Sequence, residues 1–424
     1  LAAGEGKRMK SALPKVLHLL LGRPLIYYVL KELLKARAQI KQIVIVVGYK
    51  RENVEAETKR LFLRKHLGVR IDFVHQKKRL GTADAVSTAL KKVLFENILV
   101  ACGDSPMITA ATFRKFIYFH LKKNKASSLL SAFLEKGNSL GKILRDKNGY
   151  PQRVQEKIAG FTRNKGLSRY EEVNSGVYCF KRKSLSAKLA LIKKNPIKKE
   201  YFLTDLVEAF YKDNKQIDSY TIDSGYEIMG VNSQKDLWKA QDIMRQLIIE
   251  EVSSRGVAII DPKTTYIEEG VRIGKNSIIY PFTFIEKGVI IGNNCSVGPF
   301  VRLRGEASLA DNTQVGNFLE LNRTKVGKNV KIKHFGYLGD AFIADNVNIG
   351  AGTVVANFDG KNKHKTIVGK GSFIGSDTVL VAPVKVGKNA ATGAGSVVTK
   401  DIASGTTVVG IPARVFKKKK EGRK

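Results

Sequence analysis

The sequence predicts an α/β domain of the Rossmann-like class followed by a solenoid of short β-strands, and three observations support this prediction. Residues 1–230 alternate apolar runs typical of buried strands with segments of helical spacing. An amphipathic segment follows and ends at about Ser253. From Ile273 to Leu321 every sixth residue is aliphatic, a period that neither a helix nor a flat sheet has. Stacked triangular coils have this period, because each side of a coil places one residue on the axis.

The elements of the α/β domain follow from local pattern. Strands are expected where apolar runs are continuous, and helices where apolar residues recur at helical spacing. Strands that alternate with helices predict a mostly parallel sheet with helices on both faces. The predicted helices are Pro24–Leu34 and Ala83–Leu94, and the predicted strands are Gln42–Val47, Asn97–Ala101, Ser175–Phe180 and Asp218–Ile222.

A single helix is predicted to link the two parts of the chain. Asn232 or Ser233 is expected to cap it, and its apolar positions fall on one face. We therefore expect an α/β domain at 1–230, a linker helix at 231–255, a solenoid at 256–415 and a basic tail at 416–424.

The sixfold period of the solenoid continues with small shifts of phase. The aliphatic positions resume one residue early at Val326 and again at Ile343. Phe358–Thr366 interrupts the pattern and is predicted to be an exposed loop of the kind that often supplies function. We expect the regular coils to begin near Ile267 and to end near Ile402.

The composition excludes a disordered chain, since 43% of the 424 residues are hydrophobic. The three cysteines lie far apart and lack the spacing of a metal site. An odd and sparse set of cysteines favours a reducing compartment, so a cytoplasmic protein is expected. No apolar run is long enough to span a membrane, and no signal peptide is visible.

The formal net charge is +36, from 74 Lys and Arg against 38 Asp and Glu. Such a charge suits nucleic acid or an anionic membrane. The lysines are nevertheless scattered along the chain rather than gathered on one element. We therefore favour a generally lysine-rich composition with anionic small-molecule substrates, and we expect neither a nucleic-acid nor a membrane partner.

A glycine-rich loop opens the chain, from Leu1 to Gly6. In α/β nucleotide folds such a loop follows a buried strand, so we expect the first strand of the domain to be missing. The glycines allow backbone N–H groups to approach a triphosphate, while Arg8 and Lys15 supply positive charge. Asp104 follows a predicted strand, at the edge of the sheet where sites form in α/β folds.

The loop, Arg8 and the sequence Leu13-Pro14-Lys15 resemble the signature of sugar-nucleotide pyrophosphorylases. The resemblance implies that Asp104 and Asn232 hold Mg²⁺, although Asn232 has an alternative role as a helix cap and Asp104 as a turn cap. It also implies that Glu200–Asp205 is a family block. The residues implied to bind the nucleotide are Leu1, Ala2, Ala3, Gly4, Arg8, Lys15, Gln76, Gly81 and Thr82, and those implied to bind the sugar phosphate are Gly141, Glu156, Asn174 and Asn232.

The solenoid carries a second set of motifs, which include Lys333-His334-Phe335-Gly336-Tyr337 and Gly375-Ser376-Asp377-Thr378. With the first set, they resemble the family of bacterial bifunctional N-acetylglucosamine-1-phosphate uridylyltransferase/glucosamine-1-phosphate N-acetyltransferases. The resemblance implies a left-handed parallel β-helix, a homotrimer, and His334 as general base. It implies that glucosamine-1-phosphate is bound by Arg304, Tyr337, Asn348 and Lys363, and acetyl-CoA by Ala351, Asn357, Phe358, Ser376 and Ala394.

Some positions depart from the family pattern. Asn322 stands where the family has a substrate-binding lysine, and whether the neighbouring Arg323 replaces that lysine is left open. Phe358 stands where an aromatic hydroxyl is expected, and a coenzyme-binding arginine is absent or shifted to Arg414. His334 and Lys363 also have plain alternatives, as a packed side chain and as a surface lysine.

The preferred hypothesis is a bifunctional enzyme that acetylates glucosamine-1-phosphate with acetyl-CoA and then joins the product to UTP, with Mg²⁺, to make UDP-N-acetylglucosamine for cell-envelope polymers. The alternative is a monofunctional sugar-1-phosphate nucleotidyltransferase whose β-helix is structural. A third class is a non-enzymatic exchange-factor subunit of translation initiation, which shares both domains. The presence of Arg8, Lys15 and Asp104 argues against that third class.

Overall fold

The structure is a computed structural model, and it describes residues 1–63, 68–156 and 169–418. The chain divides into two compact units, Leu1–Gln241 and Asp242–Lys424. Most of the tail expected at 416–424 lies outside the described residues.

The first unit is an α/β domain. Its strands are β1 (Leu19–Leu20), β2 (Arg23–Pro24), β3 (Gln42–Val47), β4 (Arg70–His75), β5 (Asn97–Val100), β6 (Ser127–Glu135), β7 (Lys142–Arg145), β8 (Pro151–Gln155), β9 (Tyr170–Lys181) and β10 (Ile217–Ile222). Its helices are α1 (Leu25–Lys35), α2 (Arg51–Thr58), α3 (Thr82–Leu90), α4 (Ala110–Lys123), α5 (Arg182–Leu189) and α6 (Asp205–Lys212), and α7 (Gln234–Ser254) continues into the second unit.

The main sheet is mixed, so the prediction of a mostly parallel sheet is wrong. The long strand β9 pairs antiparallel with β5, β6 and β7, whereas β10 runs parallel to β6. Antiparallel neighbours need no helical crossover, and the alternation of helices and strands along the chain does not reveal them. The strands β3 and β4 form a separate parallel pair. The helix expected at Ala83–Leu94 is shorter than predicted, and α3 ends at Leu90.

Both faces of the main sheet are covered by helices, as expected. Leu129 and Leu130 are neighbours on β6 and point to opposite faces, and both are fully buried. Leu130 packs in the cluster that holds Phe113 of α4, and Leu129 packs with Phe210 of α6. Burial of each such side chain contributes roughly 1.5–3 kcal/mol to folding.

The second unit is built from very short strands. They are β11 (Ala258–Ile259), β12 (Tyr266–Ile267), β13 (Arg272–Ile273), β14 (Ile278–Ile279), β15 (Phe284–Ile285), β16 (Ile290–Ile291), β17 (Ser296–Val297), β18 (Val301–Arg304), β19 (Ser308–Leu309), β20 (Gln314–Val315), β21 (Leu319–Asn322), β22 (Lys325–Val326), β23 (Lys331–Ile332), β24 (Gly336–Gly339), β25 (Ala341–Ile343), β26 (Asn348–Ile349), β27 (Thr353–Ala356), β28 (Thr366–Val368), β29 (Phe373–Ile374), β30 (Val379–Val381), β31 (Val384–Val386), β32 (Ala391–Thr392), β33 (Val397–Val398), β34 (Thr406–Val409) and β35 (Arg414–Lys418).

These strands form three sheets, and up to β33 every third strand belongs to the same sheet. β34 then pairs in parallel with β32, and β35 ends the first sheet antiparallel to β34. The first sheet runs from β11 to β35, the second from β12 to β33 and the third from β13 to β31. Strands pair in parallel with the strand one coil later, so that Ile267 lies beside Ile285. The sixfold aliphatic residues point inward, and Ile279 and Leu303 are fully buried. The predicted β-helix is confirmed, although its first strand precedes Ile267.

The three edges of the β-helix differ in composition. Asparagines with positive φ stack along the edge between the third and first sheets, and the Asn294 amide donates to Asn312 Oδ1 at 3.2 Å. We call the edge between the first and second sheets the histidine edge, formed by the turns 280–283, 298–300, 316–318, 333–335, 350–352, 375–378 and 393–396. The arginine edge lies between the second and third sheets, at the ends of β18, β21, β24 and β27.

The interruption of the sixfold pattern is an exposed loop on the arginine edge, as predicted, but it ends one residue earlier. Phe358 is exposed and forms an isolated bridge with Lys363, whereas Thr366 is fully buried in β28. The side chains of His364 and Asp359 meet at 2.6 Å and close the loop.

Candidate functional site

The chain starts at the carboxyl ends of β3 and β5. The amide of Ala2 donates to the Val46 carbonyl at 2.8 Å, and Gly103 donates to the Leu1 carbonyl at 2.8 Å. A mainly apolar cavity of about 530 Å³ lies beside Leu1, between β3 and β5. The backbone nitrogen of Leu1 donates to the Ala101 carbonyl at 2.6 Å.

The glycine loop has the geometry of an anion-binding nest. Gly6 is left-handed, with φ 72°, and a Cβ there would lie 2.6 Å from Cβ of Lys15. Ala3 is buried and Gly4 is exposed. The N–H groups of Gly4, Glu5 and Gly6 make no hydrogen bond within the described part of the chain. Free N–H groups in a turn with a left-handed residue favour an anion such as phosphate.

Lys15 joins the two predicted magnesium ligands. Its ammonium forms an ion pair with Asp104 Oδ2 and donates to Asn232 Oδ1 at 3.0 Å. Ser233, not Asn232, caps α7, since the Asp236 amide donates to Ser233 Oγ at 3.2 Å. The Asn232 side chain is directed to the Lys15 ammonium, which also contacts Asp104, and the cap interpretation of Asn232 is wrong.

Arg8 lies exposed in a short turn at Lys7–Met9, with no ion pair to the described residues.

The thiol of Cys102 is held neutral, because burial, followed by the charge of Asp104, raises its pKa to about 11. The thiol is therefore not a nucleophile near neutral pH.

Gln76 and the turn at Gly81 and Thr82, implied to bind the nucleotide and called here the base-binding segment, are held by hydrogen bonds from two sides. The amide of buried Gln76 donates to Gly81 O at 3.0 Å and to Asp84 at 2.7 Å. Gly81 has φ 110°, and a Cβ there would lie 2.4 Å from the Tyr201 carbonyl. Thr82 Oγ1 accepts from the Leu203 amide at 2.9 Å.

The sequence did not predict that Tyr201 contacts this segment through its backbone. Its amide donates to Leu80 O at 2.7 Å, and its carbonyl accepts from Ala83 at 3.0 Å. The block Glu200–Asp205 therefore holds the base-binding segment in place through backbone hydrogen bonds. The only signal in the sequence was the resemblance of this block to the family.

The predicted sugar-binding residues of the first unit lie together. The Asn174 amide donates to the Gly141 carbonyl at 2.9 Å. A Cβ at Gly141 would lie 3.6 Å from Cδ of Glu156 and 2.7 Å from a methyl carbon of Val154. Gly141 therefore lies next to both Asn174 and Glu156, and a larger residue there would collide with Val154.

The predicted general base of the second unit lies on the histidine edge. His334 is exposed in the turn between β23 and β24, so it is not a packed core side chain. Backbone hydrogen bonds continue along this edge, from Gly352 to Phe335 at 2.8 Å and from Gly395 to Ser376 at 2.8 Å. Asp377 donates to Ala351 O at 2.6 Å. The edge thus places His334, Ala351, Ser376 and Ala394 in line.

Other predicted residues lie away from this line. Arg304 and Tyr337 belong to the second sheet, and the Arg304 guanidinium forms an ion pair with Glu320. Asn348 belongs to the first sheet, one residue from the turn 350–352. Lys363 lies on the exposed loop. Within the described residues, no hydrogen bond joins Arg304, Tyr337, Asn348 and Lys363 to one another.

The Arg323 guanidinium is bound to neighbouring side chains of the arginine edge. Two of its N–H groups donate to the two carboxylate oxygens of Asp340, at 2.6 and 2.8 Å, and a third donates to Asn322 Oδ1 at 2.9 Å. The guanidinium lowers the pKa of Asp340, and the other carboxylate contact comes from the amide of buried Asn357. Arg304, Arg323, Asp340 and Asn357 are thus polar side chains with partners on the arginine edge.

Two features are absent from the described residues, a metal-binding cluster and a membrane-spanning helix. They contain no cluster of three or more His, Cys, Asp and Glu side chains that could hold a metal. They also contain no helix with the length and apolar character needed to cross a membrane. Cys102, Cys179 and Cys295 are free thiols.

Comparisons with known proteins agree along the chain. The family model of nucleotidyl transferases matches residues 1–246, and that of bacterial transferase hexapeptides matches residues 270–305 and 365–400. The bifunctional protein GlmU of Thermosipho africanus is 38% identical over 444 residues, covering 97% of this chain and 93% of that protein. The protein of the same name from Caldicellulosiruptor saccharolyticus is 36% identical and covers 100% and 96%. That from Carboxydothermus hydrogenoformans is 35% identical and covers 95% and 94%.

Proposed function

The chain belongs to the family of the bifunctional protein GlmU, and from this premise we propose that it makes UDP-N-acetylglucosamine in two steps. The first step is N-acetylation of glucosamine-1-phosphate by acetyl-CoA. The second is uridylyl transfer from UTP to N-acetylglucosamine-1-phosphate, with release of pyrophosphate. The observation that carries the proposal is that each unit holds its own group of predicted site residues. The first holds Lys15, Asp104 and Asn232, and the second holds His334, Ala351, Ser376 and Ala394 along the histidine edge.

In uridylyl transfer, an oxygen of the sugar phosphate attacks the α-phosphorus of UTP, and the bond to the leaving pyrophosphate breaks. The free N–H groups of Gly4, Glu5 and Gly6 and the charges of Arg8 and Lys15 would bind the triphosphate. Glu156 and Asn174 would bind the sugar, and Gln76 with Gly81 would position the base segment. Positioning and charge neutralisation supply most of the rate enhancement in this type of reaction.

The oxygens of Asp104 and Asn232 fit Mg²⁺. Both approach one cation, the Lys15 ammonium, so a carboxylate and an amide oxygen already converge on positive charge. Mg²⁺ is commonly held by one or two carboxylates together with substrate phosphates. When bound, the ion would neutralise phosphate charge. Lys15 would then contact the triphosphate instead of Asp104.

In acetyl transfer, the amine nitrogen attacks the thioester carbonyl and the coenzyme thiolate leaves. His334 would take the proton that the amine loses, and an exposed imidazole suits this role near neutral pH. Arg304, Tyr337, Asn348 and Lys363 would bind the sugar phosphate. Ala351, Ser376 and Ala394, with Asn357 and Phe358, would bind acetyl-CoA.

Among the residues that the structure describes, no hydrogen bond joins Arg304, Tyr337, Asn348 and Lys363 within one chain, and a homotrimer would bring residues of neighbouring chains together. Exposed phenyl rings on the histidine edge support such an interface. We also propose a cytoplasmic location, because UTP and acetyl-CoA are cytoplasmic co-substrates. Small molecules are then the substrates, with no part for nucleic acid.

Two substitutions test the proposal in the intact chain. Asp104→Ala is expected to lower uridylyl transfer at least about a hundredfold and to leave acetyl transfer unchanged, since a preorganised charge is lost from one site only. His334→Ala is expected to lower acetyl transfer about 10²–10⁴-fold and to leave uridylyl transfer unchanged. Pyrophosphate release and free coenzyme thiol are the two measurements.

Glu208→Ala is the matched control, because Glu208 forms an exposed pair with Lys212 on α6. It should alter neither rate. If either test variant loses both activities while its unfolding curve matches that of the unchanged chain, the two sites are not separate. Pyrophosphate release without any acetyl transfer by the unchanged chain would support the monofunctional alternative.

A further inference from the structure

Three residues on successive coils form a continuous polar chain on the arginine edge. Arg323 follows β21, Asp340 follows β24 and Asn357 follows β27. The two N–H contacts of Arg323 fix both oxygens of Asp340, and the Asn357 amide donates to Oδ2 of the same carboxylate. A bidentate guanidinium–carboxylate pair fixes orientation as well as distance.

Two glycines leave room for the side chains of this polar chain. A Cβ at Gly305 would lie 2.7 Å from Cγ of Arg323, so the arginine stem lies against the backbone of the preceding coil. A Cβ at Gly339 would lie 2.5 Å from Oη of Tyr337 and 2.7 Å from Nδ2 of Asn357. The Tyr337 hydroxyl and the Asn357 amide therefore lie over the same glycine.

Under the proposed function, Tyr337 belongs to the sugar-phosphate side and Asn357 to the acetyl-CoA side. We propose that Arg323 is a positioning residue for acetyl transfer, which acts through Asp340 to orient the Asn357 amide toward acetyl-CoA. This inference rests on the proposed function for the role of Asn357. Three of the five N–H groups of Arg323 are used by Asp340 and Asn322, so most of its hydrogen-bonding capacity is committed to the polar chain.

The coupling also fixes the Asn357 amide in one state. One N–H of Asn357 is used by Asp340, which leaves the side-chain carbonyl oxygen and the second N–H for other partners. Without Arg323, the Asp340 carboxylate loses the partner that lowers its pKa and is free to rotate. The Asn357 amide would then rotate with it.

The test is a double-mutant cycle in the intact chain, made of Arg323→Ala, Asp340→Ala and the double variant. The readouts are kcat and KM for both substrates and, independently of turnover, calorimetric titration with coenzyme A. Arg323→Ala is expected to raise KM for acetyl-CoA and Kd for coenzyme A about tenfold, the effect of one charge-assisted hydrogen bond. KM for glucosamine-1-phosphate should stay within about twofold.

The double variant should be no worse than Asp340→Ala alone, because Arg323 acts through that carboxylate. Arg302→Ala is the matched control, since Arg302 also pairs across coils, with Glu286 at 2.6 Å, and should change no constant. The unfolding curve of each variant reports whether the β-helix that carries these residues remains folded.

Three results would overturn the inference. Additive losses in the double variant would show that Arg323 acts independently of Asp340. A raised KM for glucosamine-1-phosphate with unchanged coenzyme binding would make Arg323 a phosphate ligand. Equal coenzyme binding by Arg323→Ala and Arg302→Ala would show that it has no role there. If the unchanged chain binds coenzyme A without acetyl transfer, the proposed function fails while the binding cycle still decides on Arg323.

Discussion

Asn322 shows how one substitution relative to the family pattern is absorbed by its neighbours. The side chain is 2% exposed, and its oxygen accepts from the Arg323 guanidinium. A lysine at this position would place an ammonium beside that guanidinium in a buried place. The pair Asn322 and Arg323 is therefore a coupled change, and the polar chain of the arginine edge depends on both residues.

We predict that Asn322→Lys alone does not restore the family pattern. It should lower the free energy of unfolding by about 2–4 kcal/mol, because it removes an acceptor and buries like charges together. KM for glucosamine-1-phosphate should not fall. Chemical denaturation and acetyl-transfer kinetics are the measurements.

The double variant Asn322→Lys with Arg323→Ala removes the repulsion and should regain at least half of the lost stability. If Asn322→Lys by itself is as stable as the unchanged chain and binds glucosamine-1-phosphate more tightly, the argument from like charges is wrong.

At the residue scale, the sequence named candidate side chains but not the partners that they meet in the fold. Motif order pointed to Asp104, Asn232 and His334. It could not show that Lys15 joins the first two, because residues 217 positions apart in sequence meet only in the fold. Arg323 was equally hidden, since its partner Asp340 lies one coil later.

At the scale of elements, periodicity predicted what depends on local pattern. The inward residues of the β-helix were predicted because each short side repeats the same environment. The mixed sheet of the first unit was not predicted, because strand direction depends on the pairing of β9 with β5, β6 and β7. Turn geometry on the histidine edge was also hidden.

Gly316 tests that turn geometry. A Cβ at this position would lie 1.8 Å from the Lys333 carbonyl oxygen and 2.2 Å from its carbon. These are backbone atoms next to His334 and cannot move aside alone. We predict that Gly316→Ala lowers the free energy of unfolding by about 3 kcal/mol. It should also lower acetyl transfer on the order of a hundredfold, since a displaced base is poorly aligned.

Gly395→Ala separates the clash from backbone strain. Gly395 has φ 69° and open space around its Cβ position, so its cost should be that of a left-handed residue, about 1–2 kcal/mol. Unfolding curves of both variants give the comparison. If Gly316→Ala costs no more than Gly395→Ala, the coil above tolerates the shift and the argument fails.

At the scale of the whole molecule, the histidine edge combines proposed chemistry with an apolar surface. The rings of Phe282, Phe300 and Phe318 stack along it with centroids 4.8 Å apart and planes within 4°. Each ring is at least 44% exposed. A continuous exposed aromatic surface is typical of an interface. The rings lead toward His334, so association of copies here would cover the proposed acetyl-transfer site.

We predict that Phe300→Asn weakens the proposed trimer. The residue has φ 54°, a conformation that asparagine tolerates well, so the coil itself should stay folded. Loss of the two ring contacts within each copy should lower the free energy of unfolding by about 0.5–1.5 kcal/mol per contact. Loss of the apolar ring surface between copies should weaken their association. Sedimentation velocity should therefore show smaller species at micromolar concentration. Acetyl transfer should decline on dilution, whereas uridylyl transfer should not.

Phe373→Asn is the matched control, because Phe373 is 55% exposed on the first sheet, away from the ring stack. It should leave both the oligomeric state and the dilution profile unchanged. The link between assembly and acetyl transfer fails if Phe300→Asn sediments like the unchanged chain. It also fails if the smaller species of Phe300→Asn retains full acetyl transfer, because the site would then be complete within one copy.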